Sequence, residues 1–234
     1  MHLFEGHYTI GFVGLAVTVA AFHLAIPQLK INQRTLNVAR KWLVPPKCRG
    51  DFDVLAGEPI WRGHSVKTLL EHVTLAHYNR AELINWKMDD DTYRRFVLSP
   101  LIDSGSREEL SWRRLLWENF HPRVRREQSP ESAAKIVARY LREQVTISPD
   151  ALHGLGVESI WKLHVADAAG FERIYVAAWR SVGIPARFDS SGHTEFWAGD
   201  QWVSAPRPLI SSLTQASVLW RFSLRCLLCK ASRK

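Results

Sequence analysis

Four residues, Gly183, Ile184, Pro185 and Ala186, fix the path of the chain around them. Glycine takes the left-handed conformation at which helices end, and the proline forces Ile184 to be extended. A helix is therefore expected up to about Val182. Asp167 is its cap, and Phe171, Ile174, Tyr175, Ala178 and Trp179 form its buried side. After the proline, Ala186–Phe188 reads as a strand and His193–Trp197 as a second. Gly199-Asp200 reads as a tight turn into a third strand at Trp202. The segment from Ala166 to Leu209 is thus expected to be a helix packed on a small antiparallel sheet.

The chain before it reads as helices. Ser65 can cap a helix to about Trp86, with Leu69, Leu70, Val73, Ala76 and Leu83 at three- and four-residue spacing. Asp89, Asp90 and Asp91 suit a turn and helix start, where negative charge meets the positive end of the dipole. Three consecutive carboxylates do not face one point, so they are not read as a metal site. Ser106 and Glu109 form a capping box before Leu110, Trp112, Leu115, Leu116 and Phe120. Ser129-Pro130 starts another helix, with Ala133, Ile136, Val137, Tyr140 and Leu141 on its apolar side. The expected class is α+β, a helical N-terminal region followed by the helix-on-sheet core. His72 and His77 are five apart, a poor spacing for one helix face.

The run RSVGIPAR at Arg180 to Arg187, preceded by IYVAAW and followed by a strand pair ending in GDQW, resembles the core of the transglutaminase-like family. That fold is related to the papain-like cysteine proteases. The resemblance sets four regions: 1–28 hydrophobic, 29–128 a helical lead-in, 129–209 the core and 210–234 a basic apolar tail. It also implies where chemistry would sit. The nucleophilic cysteine of active members would fall at Ala168, the histidine at Ser191 and the acidic member at Pro206. None of the three keeps its functional group, so no intact catalytic residue is expected. His193 is the one candidate for a displaced base, because alternation along a strand would turn it to the same face as Ser191.

Such sequences look like a branch of the superfamily that retains the fold and lacks the triad, a pseudoenzyme. The expected role is a binding module for a peptide, a glycan or a protein, with Asp167, His193, Glu195 and Trp197 as its binding residues. The alternative is an active cysteine hydrolase or acyltransferase of the protease or transglutaminase type. Its relocated nucleophile would have to be Cys48, Cys226 or Cys229. A His/Asp metal site from His164, Asp167 and His193 is a third reading. No ligand spacing demands it, so no metal and no cofactor are expected.

Between Glu5 and Lys30 there is no charged side chain, and residues 9–27 are about as long as a bilayer-spanning helix. They read as a membrane anchor, a secretory signal or a buried helix. The protein is expected to be membrane-associated or secreted. If anchored, Lys30, Arg34, Arg40 and Lys41 just after the run favour the cytoplasmic side for the main body. The net charge of +8 is spread along the chain without a nucleic-acid motif, and no nucleic-acid partner is expected. Cys226 and Cys229 form a lone C-x-x-C read as two unrelated thiols. The basic apolar tail reads as a membrane-surface helix, a segment packed on the domain, or an altered end of a longer protein, so the core is expected to be incomplete there.

Overall fold

The structure, a computed structural model, describes residues 30–61, 64–82, 86, 88–102 and 110–206. The apolar run at 9–27, the capping pair Ser106 and Glu109, the tail and its two cysteines lie outside the described residues. Among the described residues no helix is long and apolar enough to cross a membrane.

The expected α+β architecture is the one observed. Among the described residues eight α-helices run in the order α1 (Gln33–Trp42), α2 (Arg49–Ala56), α3 (Val66–Glu82), α4 (Asp90–Tyr93), α5 (Trp112–Val124), α6 (Pro130–Gln144), α7 (Val157–Leu163) and α8 (Ala168–Ser181). Strands β1 (Thr146–Ile147) and β2 (Val165–Ala166) make a two-residue parallel pair. Strands β3 (Ala186–Phe188), β4 (Thr194–Trp197) and β5 (Trp202–Ser204) form an antiparallel sheet in that order.

Local chemistry explains most helix starts. The Ser129 hydroxyl accepts from Ser132 N at 3.2 Å with Pro130 in the first turn, and the Asp89 carboxylate accepts from Thr92 N at 2.8 Å. Ser65 Oγ accepts from Thr68 N at 3.2 Å. The helix is described over Val66–Glu82, residues 83–85 lie outside the described residues, and Trp86 itself is not helical. Gly183 takes φ +90°, as a helix end requires.

Two apolar clusters share this scaffold. One joins α1 to α4, with Phe52, Leu55, Trp61, Leu69 and Val73 at its centre. The other surrounds α8 and draws on α5, α6, α7 and the three-stranded sheet. All five residues expected on the buried side of α8 are buried, but so are Val176, Ala177, Arg180 and Ser181. Helices cover one side of α8 and the sheet covers the other, so its C-terminal half has no solvent face. The boundary drawn at 128/129 falls between α5 and α6, and both of these helices pack on α8.

A buried polar network ties the clusters together. Arg113 of α5 is fully buried and donates from Nε to His72 Nδ1 at 2.9 Å, from Nη1 to Arg180 O at 2.8 Å and from Nη2 to Val97 O at 2.5 Å. Asn79 of α3 donates to Ser181 O at 2.7 Å and accepts from Trp117 Nε1 at 3.0 Å. The last carbonyls of α8, the negative end of its dipole, are thus capped by side chains from α5 and α3.

The same network sets the protonation of His72. Nδ1 must accept from Arg113, so the ring is neutral with its proton on Nε2, which donates to Leu110 O at 2.5 Å. Burial, and then the Arg113 cation, hold its pKa well below the ordinary 6.5. A depressed folded pKa contributes stability that is complete above the unfolded value and is lost as pH falls below it. Stability should therefore decline below pH 6.5 by up to about 1.4 kcal/mol per pH unit. Urea unfolding at pH 7.5 and 5.5 measures this. His72→Gln, which cannot titrate, should lose that part of the slope, and an unchanged slope would show that His72 does not carry it.

Candidate functional site

Strand β2 leads through Asp167 into α8, and Asp167 is fixed from two sides. Its Oδ1 accepts from Gly170 N at 2.7 Å, and its Oδ2 lies 2.7 Å from His153 Nδ1. The His153 hydrogen bond, followed by that from Gly170, holds the carboxyl below the usual carboxylate range. A Cβ on Gly170 would stand 2.7 Å from Asp167 Oδ1 and 3.0 Å from Ile160 Cδ1, so the capped turn leaves no room for a side chain there. Ala168 follows as the first helical residue, with its methyl group exposed to solvent.

The strand side differs from the expectation. Strand β4 begins at Thr194, and Ser191 and His193 belong to the exposed turn before it. Asp189 Oδ1 accepts from Ser191 N at 2.8 Å and from His193 N at 2.9 Å, which folds this segment into a turn and sets strand alternation aside. The His193 ring is 3.9 Å from Asp189 Oδ2. Thr194 is the residue that reaches α8: its N–H donates to Glu172 Oε2 at 2.9 Å and its hydroxyl to Glu172 O at 3.1 Å. Glu172, Asp189, His193, Thr194, Ser204 and Ala205 line a pocket one helical turn beyond Ala168. Pro206 offers only its carbonyl, 3.5 Å from the Tyr175 hydroxyl.

The proposed binding residues divide between two places. Asp167 caps the start of α8, and His193 lines the pocket that includes Glu172 one turn further along that helix. Glu195 and Trp197 alternate with the buried Thr194 and Phe196, and Phe196 packs on Trp179 of α8 at 4.9 Å between ring centroids. Alternation therefore turns Glu195 and Trp197 to the outer face of the sheet. There Arg187 Nε donates to Glu195 Oε1 at 2.5 Å, and Trp197 and Trp202 have ring centroids 5.5 Å apart.

The three residues of the alternative metal reading have other surroundings. His164 takes φ +56° as the cap of α7 and its Nδ1 lies 2.9 Å from Gln144 O, while Asp167 pairs with His153. Among the described residues no group of three or more His, Cys, Asp or Glu side chains could hold a metal. The relocated-nucleophile reading meets an obstacle at Cys48. That thiol is buried in the α1–α4 cluster, and burial pushes its pKa up, which lowers its thiolate fraction.

Sequence reasoning missed His153 and Glu172. His153 lies 14 positions before Asp167, a separation with no recognised spacing. Glu172 carries an i, i+4 relation to Ala168, which would have pointed to the same helix face.

With this geometry in place, the comparison with known families falls on the same segment. Residues 118–205 match the family model described as the transglutaminase-like superfamily. No curated protein and no solved structure matches the chain. Residues 118–205 are therefore a transglutaminase-like superfamily domain, running from within α5 to the end of β5.

Proposed function

We propose that the chain is a catalytically degenerate transglutaminase-like module, a pseudoenzyme that binds a peptide, glycan or protein ligand without transforming it. One observation carries the reading. At the head of α8, where helix N–H groups and the dipole would stabilise a thiolate, the residue is Ala168, an exposed methyl group. The cap beside it is already engaged by Gly170 N and His153. The sheet residues turned toward α8 are Thr194 and Phe196, and neither can act as a general base. A triad needs nucleophile, base and orienting group within hydrogen-bond reach, and the positions implied for them hold an alanine, a turn serine and a proline.

In this reading Asp167 and His193 serve the start of α8 and the pocket beside it, and Glu195 and Trp197 serve the sheet face. The apolar run at 9–27 attaches the module to a membrane. Its support is the run's length and the positive charge that follows it.

The test is amine incorporation into, and ammonia release from, a glutamine-containing peptide by the full native chain. The expected result is no turnover above buffer. Turnover abolished by alkylating a thiol would overturn the reading and return attention to Cys48, Cys226 and Cys229.

A further inference from the structure

We propose that the outer ridge of α1 lies on a membrane surface and binds the headgroups of anionic lipids. This rests on residues 9–27 as the membrane attachment. It adds which face of the domain meets the bilayer and which lipid chemistry that face takes. The chain enters the domain at Lys30, which bridges to Ser65 just before α3, and Ile31 N donates to His64 O at 2.9 Å. Lys30 stands three positions after Pro27, so even an extended chain keeps it within about 10 Å of the end of the apolar run. A run held in a bilayer therefore brings the start of α1 to the headgroups.

The sequence makes the ridge and the fold presents it. Asn32 caps α1 by accepting from Thr35 N at 3.0 Å. Ala39 is fully buried in the α1–α4 cluster and Leu36 packs against it. The opposite face, with Arg34, Asn37 and Lys41 at spacings of three and four, is turned to solvent. Trp42 ends the helix 56% exposed, with the Lys41 ammonium 4.9 Å from its ring centroid. From Lys30 to Gly50 the chain carries Lys30, Arg34, Arg40, Lys41, Lys47 and Arg49 and no acidic residue. Asp53 takes up Arg40, at 2.6 and 2.8 Å. Among the described residues no carboxylate pairs with Arg34 or Lys41, and both are exposed.

These features select the occupant. An exposed indole and a lysine stem suit the boundary between headgroups and acyl chains, and unpaired cations suit the anionic headgroups above it. A nucleic acid would meet the cations and leave the adjoining apolar run without a role.

The experiment is amine footprinting of the full chain reconstituted into phosphatidylcholine vesicles, without or with about one-third phosphatidylserine. Acetylation is read at Lys41 by mass spectrometry, with Lys135 of α6 as the reference, an exposed lysine on another helix. Labelling of Lys41 relative to Lys135 should fall roughly fivefold or more in the anionic vesicles, and recover when salt is raised to about 0.5 M. Arg34→Glu puts a negative charge on the ridge without touching the core, and should restore the labelling in the anionic vesicles. Equal labelling of Lys41 in both kinds of vesicle overturns the proposal and leaves attachment through residues 9–27 standing. Protection that persists in Arg34→Glu also overturns it, because the charge of the ridge would not be its cause. Protection by a single-stranded RNA in solution and not by anionic vesicles gives the face to nucleic acid instead. Failure of the chain to float with either kind of vesicle overturns the attachment reading and this proposal with it.

Discussion

Arg113→Met should destabilise the fold by roughly 3–5 kcal/mol, because it leaves several buried acceptors without donors. Arg113 is fully buried, and it donates to the carbonyls of Val97, Leu98 and Arg180 and to the neutral ring of His72. Burial lowers its pKa to about 9, so the guanidinium is still charged at neutral pH. Its counter-charge comes from backbone dipoles: Arg180 O is one of the last carbonyls of α8, and Val97 O and Leu98 O close the turn after α4. Methionine keeps an unbranched apolar stem but donates nothing. Arg113→Lys keeps the charge and loses the fork, so it should recover only part of the loss. Urea unfolding of the three proteins measures the effect. A loss of under about 1 kcal/mol for Arg113→Met would mean that water satisfies those carbonyls and that the network does not join the two clusters.

Trp179→Ala should cost about 3–5 kcal/mol, the usual range for a large aromatic removed from a core. The ring of Trp179 is fully buried on α8, 5.0 Å from Tyr175 and 4.9 Å from Phe196 of β4. Its Nε1 donates to Ala134 O of α6 at 3.2 Å. One side chain thus touches α6, α8 and the sheet, and the cavity left behind could not close by moving a single element. Chemical unfolding gives the magnitude. The near-ultraviolet circular dichroism of the folded variant should also change as Tyr175 and Phe196 lose their neighbour. A loss below about 1 kcal/mol would contradict this account of the core.

What could be read from the chain beforehand was what is decided locally. Asp167, Asp89 and Ser129-Pro130 begin helices because a side-chain oxygen reaches an N–H three residues on. Gly183 and Pro185 end one because their own backbone allows little else. Ala168 needed only a register, and it does begin α8. What could not be read depends on contacts between distant segments. Arg113, His72 and Arg180 come from three helices, and nothing in their spacing marks them as partners. His153 meets Asp167 through a loop with Gly154 at φ +74°. Strands β1 and β2 are two residues each, too short to leave an alternating pattern. The sequence reads His193 as the first residue of a strand. The Asp189 carboxylate instead holds it in the preceding turn. The grouping of Glu195 and Trp197 with Asp167 assumed one site, and the pleat separates them.

We propose, above all, that the transglutaminase-like core has no nucleophile at residue 168 and no base placed to serve one. The most direct measurement is glutamine-peptide turnover by the native chain beside Ala168→Cys, with iodoacetamide labelling to confirm that the new thiol is accessible. The account predicts a labelled thiol in the variant and no turnover by either protein, since β4 turns Thr194 and Phe196 toward α8. Turnover by the native chain would contradict it, and turnover by Ala168→Cys would contradict the part that denies a base within reach.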